Sequence, residues 1–222
     1  MRIAIGAAVA AVAALALAQA LGPGIAAERV RERVGRYGTV KSVKVKAWPA
    51  VKLLWGNVDE VRVKAGALKL SVAQTAGLVA EAKGTARVDA SAEVVREGPL
   101  RLRDVHFEKR GSELRGEGVM SEGDVKEALP PGFDVTLVGS EGGAVEVKAS
   151  GGLFGMGASV EAVAKAQEGK LVAQPKASQL EGLELVLFAD PRVYVEGVEA
   201  REVRGTAGEG AAYRLSMWAS LK

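Results

Sequence analysis

The strongest constraint on this chain is a period-two alternation of small apolar and charged residues, repeated in short runs. Val43-Lys44-Val45-Lys46 sets the pattern, and Val61, Val63 and Ala65 repeat it around Arg62 and Lys64. Successive strand side chains point to opposite faces, so each run reads as a strand with one apolar and one wet face. From Arg87 onward nearly every segment follows this rule. Arg87 to Val95 puts Val88, Ala90, Ala92 and Val94 on one face. Leu100 to Lys109 and Glu113 to Met120 form a hairpin across Arg110-Gly111-Ser112. Further strands are expected at Phe133 to Val138, Ala144 to Ala149, Gly157 to Gln167, Lys170 to Gln174, Leu183 to Phe188, Arg192 to Glu199 and Tyr213 to Leu221. Their breaks are Glu141-Gly142-Gly143, Glu168-Gly169, Glu181-Gly182, Asp190-Pro191 and the glycine-rich run 205–210. Such spacing predicts an antiparallel meander with few helices. The glycines around Leu153, Phe154 and Met156 predict a bulge or sharp bend, as a strongly curved sheet needs.

Helical signals are few and short. Ala26 to Arg36 carries Val30, Val34 and Tyr37 on one side among charges. Pro49 opens a turn from Ala50 to Trp55 in which only Lys52 is polar, so this segment must be covered by something. Ser71 with Gln74 makes a capping box for a helix from Val72 to Ala82. Ser121 with Asp124 caps another that ends at Pro130-Pro131.

The N-terminus follows a different plan. Arg2 precedes an apolar run from Ile3 to Ala18, then Ala18-Gln19-Ala20 and the helix-breaking Gly22-Pro23-Gly24. That is the layout of a signal peptide. As a retained anchor, Ile3 to Leu21 would span about 28 Å as a helix, against ~30 Å of hydrocarbon. Residues 1–24 are therefore expected to be a signal peptide or membrane anchor. Residues 25–222 are expected to be one exported domain.

Composition narrows the chemistry. There is no cysteine and a single histidine, which excludes thiol catalysis, disulfides and Cys-ligated metal, and leaves little for a His-based site. His106, between Val105 and Phe107, reads as structural or surface. Acids are spread singly along strand faces, with no local carboxylate pair. The run Gly151 to Gly157 lacks the Lys-Ser/Thr of a phosphate loop. A net charge of +3 with interspersed signs gives no basic patch for nucleic acid. No enzyme motif, cofactor motif or metal site emerges.

What remains is apolar surface. A half-wet antiparallel sheet must cover its other face, and inward alanines and valines favour room over dense filling. A guest with long hydrocarbon chains fits such a space. A 16-carbon acyl chain contributes on the order of 12 kcal/mol on burial, before entropy losses.

Several residues also resemble a known family. Trp48-Pro49 followed by Leu53-Leu54, Gly56 and Asp59-x-Val61 resembles the opening of the LmeA-like phospholipid-binding family of bacterial envelope proteins. Glu97-Gly98-Pro99-Leu100, the double proline after Ser121, Gly151 to Gly155 and Leu187-Phe188-Ala189-Asp190-Pro191 add to the likeness, which covers about residues 26 to 221. The resemblance implies a tubular lipid-binding (TULIP-like) fold, no catalytic residue, envelope localisation, and phospholipid and the membrane surface as partners. In actinobacterial relatives the role is linked to lipoglycan assembly. The fold class expected is thus α+β: a strongly curved, mainly antiparallel sheet wrapped around short helices, forming an apolar tunnel, with an apolar leader helix. Expected lipid-contacting residues are Trp48, Leu53, Leu54, Trp55, Phe107, Phe133, Leu153, Phe154, Met156, Leu187 and Phe188. The competing expectation is a structural or protein-interaction module of the envelope whose sheet is fully packed.

Overall fold

The computed structural model describes residues 24–49, 57–97, 100–128, 132–153, 156–176, 182–204 and 210–222. The leader reading falls on residues outside this set.

Among the described residues, twelve strands form two open sheets. The larger runs β1 (Gly38–Lys46), β2 (Val58–Lys69), β3 (Thr85–Glu97), β4 (Leu100–Arg110), β5 (Glu113–Ser121), then β12 (Ala212–Leu221) and β11 (Val193–Val203) in spatial order. The smaller is a contiguous meander of β6 (Phe133–Glu141), β7 (Ala144–Leu153), β8 (Met156–Gln167), β9 (Lys170–Pro175) and β10 (Leu185–Phe188). The chain thus leaves the large sheet after β5, builds the small one, and returns to pair β12 against β5. Neither sheet closes into a barrel: β1 and β11 are the edges of one, β6 and β10 of the other.

The expected meander needs one correction. Strands β2 and β3 run parallel, Val61 opposite Val88 and Ala65 opposite Ala92. A parallel pair cannot be joined by a tight turn, and the connection is helix α2 (Val72–Glu81) with a 3-10 turn at Ala82–Gly84. The capping box is present in both halves: Gln74 N donates to Ser71 Oγ at 3.2 Å and Ser71 N to Gln74 Oε1 at 2.8 Å. Its two reciprocal bonds satisfy N-terminal groups that would otherwise lack intrahelical partners.

Helix α1 (residues 24–35) lays Ala26, Ala27, Val30 and Val34 on Val43, Val45, Val61 and Val63 of β1 and β2. Helix α3 (Glu122–Ala128) follows β5 directly, with Asp124 N donating to Ser121 Oγ at 3.1 Å and Ser121 N to Asp124 Oδ2 at 3.2 Å. The two sheets meet along β11. Val145, Leu137, Val147, Ala164 and Leu171 of the small sheet pack against Val198, Ala200 and Leu215. At this seam Ala200 N donates to Ser140 Oγ at 3.0 Å, and Val198 N to the Gly143 carbonyl at 3.2 Å.

Candidate functional site

Strand register assembles one continuous apolar face on the large sheet. One row crosses all seven strands as Val45, Val61, Val88, Lys109, Leu114, Ala219 and Val195. Every member is buried. Val79 of α2 and Phe188 of β10 close over its β5–β12–β11 end.

The next row runs Val43, Val63, Ala90, Phe107, Gly116, Met217 and Val198. Its ends are buried, under α1 on one side and the small sheet on the other. Its middle is not: Ala90, Phe107, Gly116 and Met217 are only half-buried. A Cβ added at Gly116 would meet nothing within 4 Å. A third row of Ala65, Ala92, Val105, Gly118, Leu215 and Ala200 flanks it, and a Gly118 Cβ would lie 3.4 Å from Val105. Among the described residues, then, the face has closed margins and a half-covered middle of Ala90, Phe107, Gly116 and Met217, Ala90 still touching the cluster under α1 and Phe107 the cluster under α2.

One cation interrupts this surface. Lys109 is only 1% exposed, and its ammonium donates to the Thr85 carbonyl where the 3-10 turn ends. Burial holds its pKa below the usual lysine value. The lysine stem packs as hydrocarbon in the row while its head reaches the end of the sheet.

The expected site residues distribute unevenly. Phe107 and Phe188, 81 positions apart by number, pack into the same cluster with Val79 and Leu114. Trp48 is 70% exposed, and Leu187 is exposed as well, so both present apolar surface to solvent. Phe133, Leu153 and Met156 are placed by their backbones alone, Leu153 opposite Met156 at the β7–β8 turn and Phe133 opposite Gly151. Leu53, Leu54, Trp55 and Phe154 lie outside the described residues. Gly116 and Met217 were not singled out by sequence, and Ala90 was read only as part of the apolar face of its strand. Alternation places Leu114, Gly116, Gly118 and Met120 on one face, but the pairing of β5 with β12 has no local signal.

A second apolar feature lies on the small sheet. Leu183, Leu185, Val186 and Leu187 are all exposed on or beside β10, an edge strand. Among the described residues no helix is long and apolar enough to cross a membrane, and no group of three His, Asp or Glu could hold a metal ion. His106 is half-exposed, with Nδ1 3.9 Å from Asp89.

The fold is thus that of a mostly β protein with two open sheets that meet along β11. No protein-family model, curated protein or solved structure matches the chain.

Proposed function

We propose that this chain is a non-enzymatic, exported cell-envelope protein that binds phospholipid by its acyl chains. Support comes chiefly from the half-open row of Ala90, Phe107, Gly116 and Met217 between two closed margins. Apolar surface at the centre of a sheet is ordinarily covered, because each Å² removed from water contributes ~25 cal/mol. Leaving it open forgoes that stability unless a guest supplies the cover. A hydrocarbon chain laid along the trough does so without any polar partner. The resemblance of Trp48-Pro49 and Leu187 to Pro191 to the LmeA-like family leads to the same ligand, and an apolar tunnel completed around the trough is part of this reading.

Organic extraction of the purified full chain, followed by mass spectrometry, tests it. Phospholipid in stoichiometric amount is the expected result. A clean extract, together with no uptake of lipid from phosphatidylcholine vesicles, overturns it. The competing reading, a protein-interaction module of the envelope, draws on exposed Leu185, Val186 and Leu187 of edge strand β10, since an unpaired edge can accept another strand. A clean extract favours that reading.

A further inference from the structure

The opposite face of the large sheet carries a feature that the lipid reading does not use. Near the β5–α3 junction a cavity of about 180 Å³ is lined by Arg103, Arg204, Arg214, Asp104, Ser121 and Val119, among others. Its arginines come from three strand regions: Arg103 from β4, Arg214 from β12, and Arg204 just past β11.

Register explains the convergence. Arg103 pairs with Val119, and Val119 with Arg214, so both arginines share the face of Val119 and flank it. With strands ~4.8 Å apart, their backbones are roughly 10 Å from each other, a span that two guanidinium side chains bridge around one small anion. Arg103 owes its place to a bulge. From Val105 to Lys109 the odd-numbered side chains of β4 join the apolar face, and simple alternation would send Arg103 there too. A register shift between Arg103 and His106 prevents this, with Asp104 in the left-handed region at φ 48°. Bulges re-aim side chains in this way, at the cost of holding a non-glycine residue at positive φ. Leu102 turns inward instead, meeting Gly118.

The charges are unequal in role. Asp124, buried in the first turn of α3, holds the Arg103 guanidinium at 3.3 Å. Burial alone pushes the Asp124 carboxyl up, and Ser121 and Arg103 more than offset this, keeping it ionised below the usual aspartate range. Arg103 is thereby fixed in position. Arg204 and Arg214 have no ion pair among the described residues, and Asp104 is the cavity's own single carboxylate. The lining is net positive.

We propose that this cavity binds a phosphate group, Arg214 and Arg204 contacting its oxygens and Arg103 completing the cradle. Guanidinium forks match phosphate oxygens in bidentate fashion, and a surplus of cations from separate strands favours a doubly charged phosphate over a carboxylate. Free phosphate, a phosphomonoester and a lipid headgroup share this chemistry. The site stands independently of the acyl-chain trough, which lies on the other face.

Calorimetric titration of the full chain with inorganic phosphate at low salt provides the test. Saturable binding is expected, weakened at least about tenfold in Arg204→Gln/Arg214→Gln. Arg201→Gln, on the same row but outside the cavity lining and paired with Glu199 at 2.7 Å, should bind within about twofold of wild type. Near-UV circular dichroism checks folding, and the single variants serve if the double one unfolds. Vesicles of phosphatidylcholine with or without phosphatidate identify the source: joint loss of vesicle and phosphate binding means a headgroup, loss of phosphate binding alone means the free ion. No heat with wild type up to about 10 mM phosphate, or undiminished binding by the variants, overturns the proposal.

Discussion

Replacing Gly116 with valine asks directly whether the trough is open. The glycine is on a central strand between Phe107 and Met217, and no heavy atom lies within 4 Å of where its Cβ would be. Glycine inside a strand costs about 0.5–1 kcal/mol relative to a residue with a side chain, and a β-branched residue suits the pleat. Three added carbons contribute about 1.2 kcal/mol at half burial, from ~0.8 kcal/mol each when fully buried. Gly116→Val should therefore stabilise the ligand-free protein by about 2 kcal/mol, which for 222 residues raises Tm by roughly 4–8 °C.

The same substitution occupies space that a guest would fill. Displacing two or three methylenes costs about 2 kcal/mol of affinity, so a fluorescent acyl probe should bind about thirtyfold more weakly. Differential scanning calorimetry on delipidated protein and a probe titration read the two effects. Overpacking of a filled core would give the opposite sign, a loss of about 1–3 kcal/mol. A Tm lowered by several degrees would therefore refute the open trough, whatever happened to the probe.

Other perturbations follow from particular contacts. Gly197→Ala puts a Cβ 2.4 Å from the Trp218 ring, which can shift, so a loss of about 1–3 kcal/mol in urea unfolding is expected. Gly38→Ala meets the Ala67 carbonyl oxygen at 2.0 Å with φ 153°, a backbone clash that should cost more than Gly197→Ala; an equal or smaller loss contradicts the β1–β2 geometry. For Lys109, whose folded pKa is lowered, the charge penalty is full below that pKa and fades as pH rises toward the unfolded value near 10.4. Wild type should accordingly gain stability relative to Lys109→Met between neutral and alkaline pH, and a pH-independent difference would show the amine is not desolvated. The Arg192 guanidinium and amide hold Asp190 at about 2, so its contribution is present above about pH 4 and lost as pH falls through about 2. Asp190→Asn should remove that acid-dependent part, as measured by melts from pH 6 to 2.

Local rules carried most of the secondary structure into view. Ser71 with Gln74 and Ser121 with Asp124 cap helices through contacts three residues apart, and Arg110-Gly111-Ser112 joins neighbours in sequence. Alternation found the strands because each has one face against a core. It could not choose partners. Val/Ala runs are nearly interchangeable, so nothing near β5 indicates that β12, about 100 residues on, adjoins it in place of β6. The parallel turn-back of β2 to β3 was hidden for a similar reason, although the α2 helix between them is the required kind of crossover. Phe107 was legible as an inward residue and the β4–β5 hairpin sets Gly116 beside it, whereas Met217 joined them only through the long-range pairing of β12 with β5. Arg103 was misleading: its parity assigns it to the apolar face, and the Asp104 bulge reverses that.

The contrast between adjacent rows bears most on function. Along Val45 to Val195 the chain supplies α2 and the end of β10 as cover, and even a lysine is fully enclosed there. One row over, in equivalent sheet geometry, it supplies covers for the margins and places alanine and glycine in the middle. Small residues on a floor that stays half-covered among the described residues do not improve packing, since a core is strengthened by larger side chains that meet opposing ones. They make sense where the opposing surface comes from another molecule whose width must be accommodated. Under the proposed acyl-chain reading, the size of Gly116 and Ala90 would set the depth available to the guest, and Phe107 and Met217 the sides it touches.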